Sequence, residues 1–446
     1  MAETDEHAPL HARVVIVGAG PAGLAAATAV SAAGVDVLLL DAAPLPGGQI
    51  WRARRGEAAQ PVARALGRLA HAASGSARVL AGTRVVMALP DRTLLIDGPQ
   101  GARRLGWDQL ILATGARERL LPFPGWTLPG VFGAGGLQAL VKGGWPIGGR
   151  RVVVAGSGPL LLAAAATLRH EGARVVGLAE EAGTAALARF AGTLARHPRK
   201  ALQALRLLSS LTGVPFMRGS RVVAAQGDGR VERVLVEGPG GRIRVLECDA
   251  LAAGWGLVPQ TELGQSLGCA LAARHGAQAI VVDEAQRTSI DGVYAIGECT
   301  GIAGAQAAQL QGEAAGRAVA RELGAASPLP SGHAPRLARE HAFAAAVATT
   351  FAAPADWAAR LRDDTLVCRC EDVPWSALRD QPDLRSAKLA TRCGMGHCQG
   401  RLCHDTLASV MHWPRLPVRP PLHPVPLAAL LAASDNPRPS HPPRSP

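Results

Sequence analysis

Apolar residues along this chain fall into two recurring patterns: short β-branched runs that end in glycine, and longer Ala- and Leu-rich stretches without a breaker. Unbroken apolar runs bounded by turn residues read as strands buried on both faces, and the longer stretches as helices packed against them. The first instance is a strand at residues 13–17, the turn GAGPAG, an Ala-rich helix ending near Gly34, and the run VDVLLLD closing on Asp41. The succession recurs at residues 150–181 as RRVVVAGSGPLLLAAAATLRHEGARVVGLAEE. Two such β-α-β units predict an α/β fold with parallel sheets, the second unit inserted in the first. Residues 13–120 and 256–324 are assigned to the first domain and 121–255 to the second. Past Gly324 the pattern changes. Residues 325–364, which include HAFAAAVATTFAAPADWAARL, read as a helical connector, and 365–412 as a small helical module rich in cysteine. Residues 413–446 are too proline-dense for a regular core; PPLHPVPLAALLAA reads as a strap along the body and SDNPRPSHPPRSP as disordered. Residues 1–12 form an N-terminal extension.

The glycines of the first unit have distinct physical jobs. Gly18 permits a tight turn, Gly20 lets backbone amides approach a pyrophosphate at the helix N-terminus, and Gly23 lets helix and strand pack closely. Asp41, about 20 residues on, is placed to take the ribose hydroxyls of an adenosine. Strand, helix and acid in register make this a dinucleotide site rather than a stray glycine turn. In the second unit Gly156 and Gly158 are followed by Leu161 where a third glycine would stand. Glu180 there suits a ribose diol and repels a 2′-phosphate, so NAD is favoured over NADP. An NAD site, another adenine nucleotide held structurally and an empty pocket all stay open for this unit.

Three further segments specify the first cofactor. DQLILATGARERLLPFPG, with Thr114 and Gly115, resembles the strand and loop at which an FAD domain returns to its sheet. TSIDGVYAIGECTGIAGAQ resembles the late motif of such domains; Gly297 and Glu298 then face the ribityl-pyrophosphate, with Glu where many relatives have Asp. Pro46-Gly47-Gly48-Gln49 resembles the segment lining the flavin in thioredoxin-reductase-like proteins, which puts Gly48 and Gln49 in the site. FAD is the implied cofactor.

Five of the eight cysteines lie in the C-terminal module: Cys368 and Cys370 in VCRCED, then Cys393, Cys398 and Cys403 in TRCGMGHCQGRLC. Four thiolates complete the coordination of a [2Fe-2S] cluster, two at each iron. A zinc site and a disulfide framework are the alternatives. His397 and His404 lack the upstream pair that Rieske-type ligation requires, and read as outer groups or solvent-facing ones. CRCED with TRCGMGHCQGRLC resembles the bacterioferritin-associated-ferredoxin-like [2Fe-2S] module. That resemblance implies Cys368, Cys370, Cys398 and Cys403 as ligands and Cys393 as a nearby spare. Cys248, Cys269 and Cys299 are far apart in sequence, so no CxxC or CxxxxC pair exists to make the flavin part a disulfide reductase.

Charge and termini narrow the picture. The net charge of +12 is spread over the chain with acids interspersed and no aromatic-rich basic module, which argues against nucleic acid as a partner. The acidic start MAETDEHAPLHA lacks the basic and apolar parts of a secretory leader, pointing to the cytoplasm. No run reaches the ~18 uninterrupted apolar residues of an integral membrane segment.

Residues 13–432 as a whole resemble the α-type subunits of heteromeric bacterial amino-acid and amine dehydrogenases, the relatives of opine oxidase, hydrogen cyanide synthase and hydroxyproline dehydrogenase. GAGPAGLAAA, PGGQI, ATGARERLLPFPGWTLPGV, GECTGIAGA and the cysteine module carry the resemblance. It implies a two-dinucleotide-domain flavoprotein that relays electrons, with a D-amino-acid-oxidase-like flavoprotein β subunit that abstracts hydride from the amine. Two other readings stand beside it: a self-contained NADH-dependent reductase that feeds an external acceptor through its cluster, and a binding or redox-sensing protein. No motif places a His or carboxylate as a substrate base, so catalytic residues, the substrate and the terminal electron acceptor are not assigned.

Overall fold

A computed structural model describes residues 10–52, 59–70 and 77–433. Strand Leu10–Val17 lies inside a seven-stranded sheet, flanked in parallel by Val37–Asp41 and Gly101–Leu112. Ala77–Ala81 continues the sheet on one side, and Val293–Ala295 pairs in parallel with the end of Gly101–Leu112 on the other. Thr93–Gly98 and Arg84–Leu89 extend its opposite end as an antiparallel ribbon. Being covered on both faces explains the unbroken apolar run: Val14, Val15 and Ile16 are completely buried. The strand begins at Leu10, within the segment read as an extension.

Helix Pro21–Ala32 carries the first glycine turn and packs tightly on helix Gly304–Glu322. Glycine allows the approach, since a Cβ at Gly312 would stand 2.2 Å from the Ala22 carbonyl oxygen and one at Gly316 2.6 Å from that of Ala26. The late loop Gly297–Thr300 is thereby carried to the turn.

Between these halves the chain enters a second, fully parallel sheet. Its strands run in the order Phe216–Arg218, Arg174–Glu180, Arg151–Gly156, Ala250–Gly254, Val131–Gly133. A three-stranded antiparallel meander, Arg221–Gln226, Arg233–Glu237 and Ile243–Glu247, accompanies it. The way in, Ala116–Glu118, and the way out, Leu257–Pro259, pair antiparallel as a two-stranded hinge. The α/β class with a parallel sheet inserted in a second nucleotide-type sheet is the arrangement the sequence implies; the antiparallel ribbon on the first sheet is an addition to it.

Helix His333–Thr350 follows, pinned by buried His333, whose Nε2 is 2.9 Å from the Leu310 carbonyl oxygen. The cysteine module has its own small core of Val367, Val373, Trp375, Leu378, Leu384 and Leu407. Asp383 caps its helix Leu384–Thr391 by accepting from the Ser386 amide at 2.7 Å. The tail then crosses to the first sheet, where the Leu422 amide donates to the Val86 carbonyl at 2.7 Å. Residues 434–446, the segment read as disordered, lie outside the described residues. Among the described residues no helix is long and apolar enough to cross a membrane.

Candidate functional site

The carboxyl ends of the first sheet's parallel strands bring Gly18, Asp41, Thr114, Gly115, Gly297 and Glu298 to one edge, where open α/β sheets bind ligands. Gly18 has φ +110°, and a Cβ there would sit 2.3 Å from the Ala113 carbonyl oxygen; one at Gly23 would sit 1.8 Å from that of Gly18. Space in front of Gly20 is kept by a second glycine: Gly48 Cα is the nearest atom to a Cβ built at Gly20, at 3.9 Å. Exposed Gln49 accepts from Arg52 at 2.9 Å. Asp41 accepts from the amides of Ala19 at 2.6 Å and Ala43 at 2.7 Å, while burial raises its carboxyl above the ordinary range. Thr114 Oγ1 donates to the Gln260 carbonyl at 2.6 Å, tying this loop to the returning chain.

Glu298 Oε1 accepts from the Gly304 amide at 2.7 Å, but Oε2 is buried without a protein partner. A buried acceptor of this kind calls for a donor that the protein does not supply. A ribityl hydroxyl meets that need, so the donor set at this edge fits FAD.

At the second turn Gly156, φ +132°, would place a Cβ 1.9 Å from the Gly254 carbonyl oxygen, repeating the role of Gly18. Leu161 fills the third glycine's position as a core residue, 1% exposed, among Val152, Ala164 and Leu168. Glu180 accepts from the amides of Gly158 at 3.0 Å and Ala182 at 2.9 Å, with its carboxyl raised by burial.

The cysteines separate into two groups. Cys368, Cys393 and Cys403 are buried, their sulfurs within 4.8 Å of one another. Cys370 is exposed and hydrogen-bonds half-buried Cys398. Hydrogen bonds from Cys393 and Cys403 push the Cys368 thiol far down, and the same bond to Cys368 pushes Cys393 up to about 12. Glycine makes the packing possible: a Cβ at Gly396 would stand 2.2 Å from Cys370 Cβ, and those at Gly394 and Gly400 would strike the His404 ring. His404 is half-buried, Nε2 3.4 Å from the Cys393 carbonyl oxygen, whereas His397 is exposed. The buried thiol group is compatible with an iron-sulfur cluster.

This centre is fastened to the hinge. Arg117 donates to the Arg401 carbonyl at 3.1 Å, to Glu262 at 2.7 Å and to Asp405, with each side chain mostly buried. Thr406 Oγ1 donates to the Leu120 carbonyl at 3.0 Å. The cysteine module therefore rests on the strand that directly follows Thr114 and Gly115.

Residues 12–312 match the pyridine nucleotide-disulphide oxidoreductase family. The chain belongs to that family. It is 33% identical over 429 residues to hydrogen cyanide synthase subunit HcnB of Pseudomonas aeruginosa, covering 88% of this chain and 91% of the relative. It is 34% identical over 436 residues to an opine oxidase subunit of Rhizobium meliloti, covering 89% and 81%. Among solved structures, L-proline dehydrogenase from P. horikoshii superposes with a TM-score of 0.67 at 20% identity, over 95% of this chain and 80% of that one. Thioredoxin reductase of T. acidophilum superposes with a TM-score of 0.52 at 24% identity, over 70% and 99%. This member of the pyridine nucleotide-disulphide oxidoreductases is thus an FAD-dependent oxidoreductase, related along most of its length to HcnB and to the opine oxidase protein.

Despite the family's title, the thiols of its flavoprotein part are free and buried. Burial pushes Cys248 up to about 12 and Cys299 up to about 11, and Cys269 is engaged with Thr288 Oγ1 at 3.6 Å. Motif reading missed the Arg117, Glu262 and Asp405 clasp, which joins residues remote in sequence and has no local signature. Cys393 was visible in the cysteine run; only folding puts it inside the buried trio.

Proposed function

We propose that this chain is the electron-relay subunit of a heteromeric amino-acid or amine dehydrogenase acting on an opine-, hydroxyproline- or glycine-type substrate. Its partner on this reading is a D-amino-acid-oxidase-like flavoprotein that oxidises the amine. FAD supplies two-electron acceptance with one-electron release, and a [2Fe-2S] cluster supplies single-electron carriage. The observation that carries the reading is the cysteine centre clasped by Arg117 onto the strand that leaves Thr114 and Gly115.

The chain's own residues have definable roles. Gly18, Gly20 and Gly23 clear the approach to the helix N-terminus for a diphosphate, Gly297 and Gly48 line it, and Asp41 stands at the adenosine end. Glu298 Oε2, buried without a protein partner, would accept from the ribityl chain. Both carboxylates are thereby committed to holding the cofactor, which leaves proton removal from an amine to the partner. Cys368, Cys370, Cys398 and Cys403 would hold the cluster, and exposed Cys370 with half-buried Cys398 leaves it a side where an acceptor can approach. HcnB and the opine oxidase relative are both named as subunits, which supports a hetero-oligomer.

Anaerobically purified chain is expected to hold about two irons and two acid-labile sulfides, as four thiolates around two irons require. Cys398→Ser or Cys403→Ser removes them and Cys393→Ser retains them. Stoichiometric zinc without sulfide would contradict the cluster, and iron loss confined to Cys393→Ser would contradict the ligand choice. Amine-dependent reduction of the flavin is expected only when the partner is present.

A further inference from the structure

We infer that the second dinucleotide cleft is filled by the chain's own connector, so that this domain serves as a cradle for the cysteine module and does not take NAD(H). In an open parallel sheet a dinucleotide crosses the strands' carboxyl ends, with its pyrophosphate at the glycine turn and its adenosine beside the acid that closes the second strand. Each of these places already has an occupant.

Phe351, which ends helix His333–Thr350, stands 3.8 Å from the position of a Cβ at Gly158. This is the space that glycine leaves for a diphosphate, and an aromatic ring offers such a group no hydrogen-bond donor. Phe351 is braced edge-on against Phe190 at 5.2 Å, and Phe190 lies 5.8 Å from Phe343 of the same connector helix. Lys200 pairs with Glu340 at 3.2 Å, both side chains less than one-fifth exposed, and fixes the helix along the domain.

The amide that should meet the pyrophosphate is also taken. Glu180 bonds the Gly158 amide itself, whereas Asp41 bonds Ala19, one residue ahead of the corresponding Gly20. Beside the acid, Glu181 is held by the Trp255 indole at 2.7 Å and by Arg360 at 3.1 Å. Trp357, 2% exposed, lies edge-on to Trp255 at 5.1 Å and donates to the Pro122 carbonyl at 2.9 Å. Connector residues from Glu340 to Arg360 thus follow the edge that a dinucleotide would need, and a nucleotide could enter only by displacing two packed aromatic anchors.

The test uses the full chain as purified. Acid release followed by chromatography is expected to yield FAD and no second nucleotide, and NADH fluorescence is expected to show no saturable binding up to about 1 mM, the upper end of ordinary substrate constants. Stoichiometric NAD or another adenine nucleotide, or one-to-one NADH binding, overturns the inference. Phe351→Ala is expected to lower the melting temperature by about 2 °C or more, as loss of a packed ring requires. An unchanged melting temperature overturns the claim that Phe351 fills the cleft. Neither readout depends on the identity of a partner protein.

Discussion

At the first glycine turn, Asp41 takes the Ala19 amide and the chain sets Gly48 opposite Gly20; at the second, Glu180 takes the Gly158 amide and the chain sets Phe351 opposite it. Both turns follow a buried parallel strand, both begin with a glycine that no other residue could replace, and both end at a buried acid. Their difference lies in what a remote segment delivers to the open side. A glycine turn is a precondition for a nucleotide site, and the residue standing in front of it decides whether the site exists.

The widest gap between the turns is expected from Gly20→Val. A branched side chain there occupies the diphosphate path, so the purified variant should be colourless, while Phe351→Ala keeps a full flavin spectrum. The absorbance ratio of flavin to protein checks both, and a yellow Gly20→Val chain would show that the first turn is not the flavin site.

A smaller contrast separates the two acids. Asp41→Ala removes a buried charged acceptor beside the adenosine and should weaken FAD by about 10-fold or more, on the 1.5–3 kcal/mol scale of charged hydrogen bonds. Glu180→Ala should leave FAD affinity unchanged and cost only fold stability, of about 1–3 kcal/mol, by orphaning the Gly158 and Ala182 amides. Equal losses of FAD in the two variants, read by flavin fluorescence on dilution, would erase the distinction.

The smallest effect concerns pH in the flavin-free chain. Burial raises the Glu298 carboxyl above its unfolded value, so its contribution to stability is complete below that unfolded value and is lost as pH rises through the folded one. Glu298→Gln has no such loss. The variant and the parent should therefore melt together near pH 4, with the variant higher by on the order of 1 °C at neutral pH. A gap that does not change with pH would place the Glu298 carboxylate in a better solvated setting.

Local motifs made part of this architecture readable. The β-branched runs before Gly18 and Gly156 specify buried parallel strands because their side chains alternate into two covered faces, and Val14, Val15, Val153 and Val154 are completely buried. The cysteine spacing reads as a metal module for an equally local reason, and the fold gathers three of those cysteines. What could not be read arises from long-range packing. Leu161 replaces a glycine and suggests only a change of helix packing; that the same turn is stopped by Phe351 follows from a helix far downstream with no nucleotide motif. A faint signal was present in composition: the chain has six phenylalanines, and three of them, Phe190, Phe343 and Phe351, gather at this cleft. The clasp of Arg117 on Glu262 and Asp405 is hidden for the same reason, since its three members come from three separate segments.

The central claim is that electrons reach this flavin from a partner and not from a nicotinamide bound in the second domain. The most direct measurement is anaerobic flavin absorbance of the isolated chain, first with excess NADH and then with the amine-oxidising partner and its substrate. The account predicts an unbleached flavin with NADH and bleaching, followed by cluster reduction, once partner and amine are added. Rapid, complete bleaching of the isolated chain by NADH would contradict it.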